Sequence, residues 1–211
     1  MTNTAPVSSP RAAFYIDGFN MYHGLMEHSK SRDCRWLNLR SLAEAMLLPG
    51  HSLASVVYFT SIPPWNPGKQ RRHETYLAAL KSVNVEIVQG RFQRDQMLCT
   101  GTCGQLFTYH VEKLTDVNIA TRMLRDSVTG VFDWAYLVSG DADQAPTLRT
   151  LRLLDPTKQV RVIFPPRRVS AELTSLADDC PGELSHRTLR KHLFADTLKI
   201  GDRILQKPAT W

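Results

Sequence analysis

The 211-residue sequence predicts an α/β protein with a mostly parallel central sheet flanked by helices. Two observations carry this prediction. Short, continuous apolar runs recur at 12–16, 53–59, 85–88, 134–138 and 160–164, the pattern of strands covered on both faces. Between most of them lie longer stretches whose apolar residues return every three or four positions, as in helices packed on a sheet. The length suits one domain with room for elaborations.

Each element follows from local chemistry. Ala12–Ile16 is strand-like and stops at Asp17-Gly18, after which Met21, Leu25 and Met26 keep helical spacing. Leu37–Leu48 reads as a helix with Asn38 as its cap and Leu39, Leu42, Ala43 and Met46 on one face, ended by Pro49-Gly50. Leu53–Phe59 is the second strand, and the Pro-rich stretch Ser61–Gly68 a loop before a helix over Lys69–Lys81. Val85–Val88 is the third strand. Residues 90–110 break the pattern and are expected to form an inserted hairpin or knuckle around Cys99-Thr-Gly-Thr-Cys103-Gly104. Thr115 is expected to cap a helix carrying Val117, Ala120, Thr121 and Leu124. Trp134–Val138 is a strand, Asp143–Leu154 a helix with Pro146 in its first turn, and Val160–Phe164 a further strand. Ser170–Asp178 and His186–Phe194 read as helices closing the sheet edge. One domain over 12–195 is expected, with 1–11 loose and 196–211 a C-terminal tail.

Composition narrows the functional classes. Lys and Arg number 26 against 20 Asp and Glu, a formal net charge of +6 spread over both halves of the chain, so a polyanionic partner is compatible but not specified. Met1–Arg11 has neither a basic start nor an apolar run, and no stretch of about 18 apolar residues occurs, so the expectation is a cytoplasmic protein with no membrane partner. Four cysteines in that setting read as thiols or metal ligands rather than as disulfides.

The acids are more informative. In open parallel sheets, ligands bind beyond the carboxyl ends of the strands. Asp17 ends the first strand, Asp141 and Asp143 follow the fourth apolar run, and Asp116 lies in the first turn of its helix. Singly, each is explained by an Asx-turn, a cap or a helix dipole, worth about 1 kcal/mol or less. Together, acids from three segments at one sheet edge repel unless protonated or neutralised by a cation. With no soft ligand among them, Mg²⁺ or Mn²⁺ is the natural partner, and phosphodiester hydrolysis the chemistry supported. Removing these four acids leaves 26 basic against 16 acidic residues, a basic body around an acidic pocket.

Three segments, Asp17-Gly-Phe-Asn20, Glu112-Lys-Leu-Thr-Asp116-Val-Asn118-Ile-Ala120 and Leu137-Val-Ser-Gly-Asp141-Ala-Asp143, resemble in order and spacing the signature segments of the NYN domain family, the LabA-like branch of the PIN-like nuclease superfamily. Phe164-Pro-Pro-Arg167-Arg168 resembles the tail of its bacterial members. The resemblance implies a PIN-like fold and a Mg²⁺- or Mn²⁺-dependent ribonuclease. It implies metal binding by Asp17, Asp116 and Asp141, with Asp143 bound directly or through water. Asn20 would steady the site or a substrate phosphate, and Ser139 would hydrogen-bond the cluster. The match departs at Leu114, where some relatives carry Gly, and at Gln144, where an apolar residue is common.

Other features stay open between two readings. Cys99 and Cys103 have a zinc-ligand spacing, with His110, Cys34 or His73 as partners for a structural zinc, or they are ordinary thiols of a reduced hairpin. Lys113 is a phosphate contact or a solvated charge. Arg167 and Arg168, directly after a strand, are expected to hold RNA phosphates more than Arg71-Arg72, Arg91, Arg94 or Arg190-Lys191. Trp65 and Phe92 stack on bases or fill the interior. The expected activity is metal-dependent cleavage of single-stranded or exposed RNA. A non-cleaving RNA-binding or regulatory module, or a DNA nuclease or phosphatase, are the alternatives, and association of copies of the chain is left open.

Overall fold

A computed structural model describes residues 9–101 and 103–211. The expectation for 1–11 falls largely outside them; Arg11 already belongs to the first strand. Six strands form one parallel sheet: β1 (Arg11–Asp17), β2 (Ser52–Thr60), β3 (Glu86–Gln89), β6 (Trp134–Val138), β7 (Gln159–Phe164) and β8 (Asp179–Glu183). The hairpin strands β4 (Arg91–Leu98) and β5 (Leu106–Lys113) stand apart from it. The order is β3-β2-β1-β6-β7-β8, so the direction of strand succession reverses between β1 and β6. In such sheets that reversal opens a crevice at the carboxyl ends.

Alternation along β1 explains why the sheet is buried twice. Ala12, Phe14 and Ile16 face a core with Trp36, Tyr76 and Leu80, while Ala13 and Tyr15 face one with Ile119, Met123, Phe132 and Leu148. Helices α1 (Gly18–Glu27), α2 (Leu39–Ala45) and α3 (Pro67–Ser82) serve the first core, and α4 (Thr115–Val128) and α5 (Ala145–Leu154) the second. Asn38 caps α2 as expected, its side chain accepting from the Ser41 amide.

Three local expectations are corrected. The insertion is longer and more regular than 90–110: β4 and β5 pair antiparallel from Arg91↔Lys113 to Leu98↔Leu106. Lys113 therefore ends a strand. Thr115 does not cap α4, because the cap position is Leu114, in the left-handed region at φ 81°. The Thr115 hydroxyl instead donates to Glu112. Finally, 196–211 is not a loose tail. Strands β9 (Thr197–Ile200) and β10 (Arg203–Gln206) form a hairpin, and Trp211 packs edge-on to Trp36 and Tyr76. An aromatic at the end of a polar stretch finds its partners only in three dimensions. The short helices α6 (Ala171–Leu176) and α7 (His186–Lys191) flank β8, an edge strand whose Pro181 and Gly182 hid it from pattern reading. Among the described residues, no helix is long and apolar enough to cross a membrane.

Candidate functional site

Asp17 lies at the carboxyl end of β1, and Asp141 follows β6, across the point where strand order reverses. Asp116 is one residue into α4. One carboxylate oxygen from each of Asp17, Asp116 and Asp141 lies within 4.8 Å of the other two. The chain thus converges three acids from distant segments.

A polar frame fixes them. The Asp17 carboxylate accepts from the Asn20 amide at 3.0 Å and from the Ser139 hydroxyl at 2.9 Å. Ser139 also accepts from the Asp141 amide at 3.1 Å, so one buried hydroxyl links two of the acids. The Asn20 side chain accepts from the Gly140 amide at 2.8 Å, tying the α1 start to the β6 end. Asn20 thus supports the site through the backbone. Asp116 takes a bond from the Gln144 amide group at 3.4 Å, and the Gln144 carbonyl accepts from Thr147 at 3.3 Å. Gln144, which stands out in the sequence only as an amide where an apolar residue is common, is buried and bonded to Asp116.

The electrostatics follow from burial. Only 3% of Asp17 is exposed; desolvation pushes its carboxyl up to about 6, Asp116 and Asp141 add to the shift, and the bonds from Asn20 and Ser139 oppose it. Asp116 is raised too, by burial first and then by Asp141 and Glu112. Clustered hard oxygen donors with no thiol or imidazole fit a divalent ion of the Mg²⁺ or Mn²⁺ type. Asp143 is exposed and lies outside the trio; its amide donates to Asp141 at 3.0 Å. Buried Asp126, by contrast, is fully engaged by Tyr15, Arg122 and Arg125.

The basic residues divide. Arg168 runs over the end of β6, its backbone against Gly140, and its guanidinium is ion-paired with Glu27. Arg167 is exposed with its amide bonded to Glu183 at 2.8 Å, and Lys113 is exposed at the hairpin base beside Arg91. Cys99 and Cys103 occupy the hairpin tip. His110 instead stacks on Trp65 at 3.7 Å, His73 bonds Thr60, and Cys34 is buried beside Asp33, so among the described residues none of the expected partners completes a zinc set.

Next to the acids opens a cavity of about 290 Å³. Gly18 and Phe19, directly after Asp17, line it, together with Ser61, whose hydroxyl bonds Glu112 at 3.0 Å.

A family model for the NYN domain matches residues 11–181. The chain belongs to the NYN domain family. As an NYN domain it falls within a nuclease-type hydrolase family on a PIN-like fold; the LabA-like branch remains a matter of resemblance. The domain is 27% identical over 176 residues to 6-hydroxy-3-succinoylpyridine 3-monooxygenase HspA of Pseudomonas putida, covering 67% of this chain and 55% of that protein. The chain therefore spans about half the length of this curated relative. A crystal structure of a protein of unknown function from Vibrio parahaemolyticus shares the fold, with TM-score 0.57 and 18% identity, covering 89% of this chain and 98% of the other.

Proposed function

We propose that this NYN domain is an endoribonuclease that depends on Mg²⁺ or Mn²⁺ and acts on single-stranded or exposed RNA. The observation that carries the reading is the meeting of Asp17, Asp116 and Asp141 at the crevice where strand order reverses. An inert binder of polyanions gains nothing from concentrating negative charge there. These three residues would hold the ion, which when bound activates water and offsets charge on phosphate oxygens. Ser139 and Asn20 keep the acids and the Gly140 turn in place, and Gln144 orients Asp116. Asp143, exposed beside Asp141, takes the proton of the incoming water at its carboxylate. Exposed Arg167 and Lys113, which form no ion pair among the described residues, would meet the RNA backbone, whereas Arg168 is held by Glu27.

The test is cleavage of labelled single-stranded RNA and DNA with Mn²⁺, Mg²⁺ or EDTA, beside Asp141→Asn. RNA is cut with metal, not with EDTA, and at least about 100-fold more slowly by the variant. RNA untouched under every metal condition, or a variant as active as the parent, defeats the proposal; DNA cut in preference to RNA reassigns the substrate.

A second reading comes from the relative named as a monooxygenase of a pyridine derivative, and the aromatic cavity beside the acids is the observation that favours it. Incubation with 6-hydroxy-3-succinoylpyridine, air and a chemical reductant, followed by chromatography, decides it: unconverted substrate removes this reading.

A further inference from the structure

The cavity beside the carboxylates has two properties that the acid cluster does not explain. Its wall is aromatic: Phe92 lies edge-on between Trp65, at 4.7 Å, and Phe19, at 5.8 Å. Trp65 is stacked on His110 yet 44% exposed, and Tyr22 at the same mouth is also 44% exposed. Its charge is one-sided as well. Among the described residues no Asp or Glu lines it, whereas Arg35, Lys69 and Arg72 do. Arg35 is committed to the carbonyls of Arg32 and Thr210. Lys69 and Arg72, one turn apart on α3, form no ion pair among the described residues. Two unpaired cations at the rim of an aromatic hollow suit a planar ring that carries an anion.

We infer that this cavity is a nucleobase subsite, in which one base of the bound strand enters the Trp65–Phe92–Phe19 wall while Lys69 and Arg72 hold its phosphate. The inference rests on the ribonuclease reading, since Gly18 and Phe19 join the cavity directly to Asp17 and place the base next to the cleaved linkage. A ring is recognised by its face, so stacking selects an unpaired strand without demanding a particular base. That would confine cleavage to single-stranded RNA.

Binding is measured by fluorescence anisotropy in EDTA, which keeps the subsite apart from cleavage. The probes are a labelled short oligouridylate and the same length of abasic backbone. The wild-type chain is expected to bind the oligouridylate about tenfold or more tightly than the abasic strand, and Trp65→Ala to lose that preference while binding the abasic strand as before. Trp65→Phe restores most of it, which separates lost stacking from lost folding. Lys69→Ala with Arg72→Ala weakens both strands and lowers the salt dependence. Equal affinity of wild type for both strands, or an unchanged preference in Trp65→Ala, overturns the inference, as does binding of nicotinate without binding of the oligouridylate. If cleavage fails while the Trp65-dependent preference stands, only the nuclease reading falls. If RNA is cut with the same KM by Trp65→Ala, only the subsite falls.

Discussion

Leu114 bears a conformation that its side chain disfavours. Its φ of 81° and ψ of −13° put a Cβ-bearing residue in the left-handed region, at the junction of β5 and α4, two residues before Asp116. That turn swings Thr115 onto Glu112 and aims the first helical turn at the cluster. Glycine at this position carries no Cβ penalty. The penalty relieved is about 1–2 kcal/mol and the added flexibility of unfolded glycine costs roughly 0.5–1 kcal/mol, so Leu114→Gly should stabilise the fold by about 0.5–1 kcal/mol in urea unfolding. A midpoint that falls would mean that contacts of the Leu114 side chain outweigh backbone strain.

The segment between β7 and α6 depends on close backbone approach. Pro165–Arg168 crosses the ends of α1 and β6, where Gly24 and Gly140 leave no room for a Cβ. At Gly140 an added methyl would collide with the Arg168 carbonyl, and at Gly24 with the Pro166 carbonyl at 2.7 Å. Gly140 also donates its amide to Asn20, so displacing this turn disturbs the frame holding Asp17 and Asp141. Gly140→Ala is expected to cost about 2–4 kcal/mol and to cut cleavage at least tenfold. Equal thermal midpoints for variant and parent would show that the crossing segment yields freely.

Taken as a whole, the molecule has opposed pH dependences in two groups beside the crevice, half-buried His73 and buried Asp17. His73, bonded to Thr60 at 3.1 Å, is lowered to about 4 by burial. Its unfolded form takes a proton below about 6.5 and its folded form only near 4, so its contribution is complete above 6.5 and is lost as pH falls through that window. Asp17, raised to about 6, has the opposite sign: its charge costs stability as pH rises past about 4, with the full cost reached above 6. The two partly cancel in the parent. Comparing parent and His73→Gln stabilities at pH 7 and pH 4.5 isolates the histidine: the parent should lose about 2–3 kcal/mol more than the variant. Parallel pH profiles would show that His73 is hydrated in the folded protein.

How much of this was visible beforehand depended on the range of each interaction. Strands β1, β2, β6 and β7 were legible because burial on both faces demands unbroken apolar runs, and Asn38 was legible because a cap acts within three residues. Asp17, Asp116 and Asp141 were readable as candidates because they stand at element ends in recognisable segments. Gln144, the Arg168–Glu27 pair and the docking of Trp211 were not, since each joins residues far apart in sequence. The sequence by itself determined the layered α/β class, the position of the hairpin and the identity of the acids, through periodicity and local turn chemistry. Tertiary structure alone decided that three acids share one cluster, that Arg168 is already engaged and that an aromatic cavity with a cationic rim adjoins the cluster. Those outcomes depend on strand order and close packing, which bring distant residues within a few ångströms of one another and which no local pattern encodes.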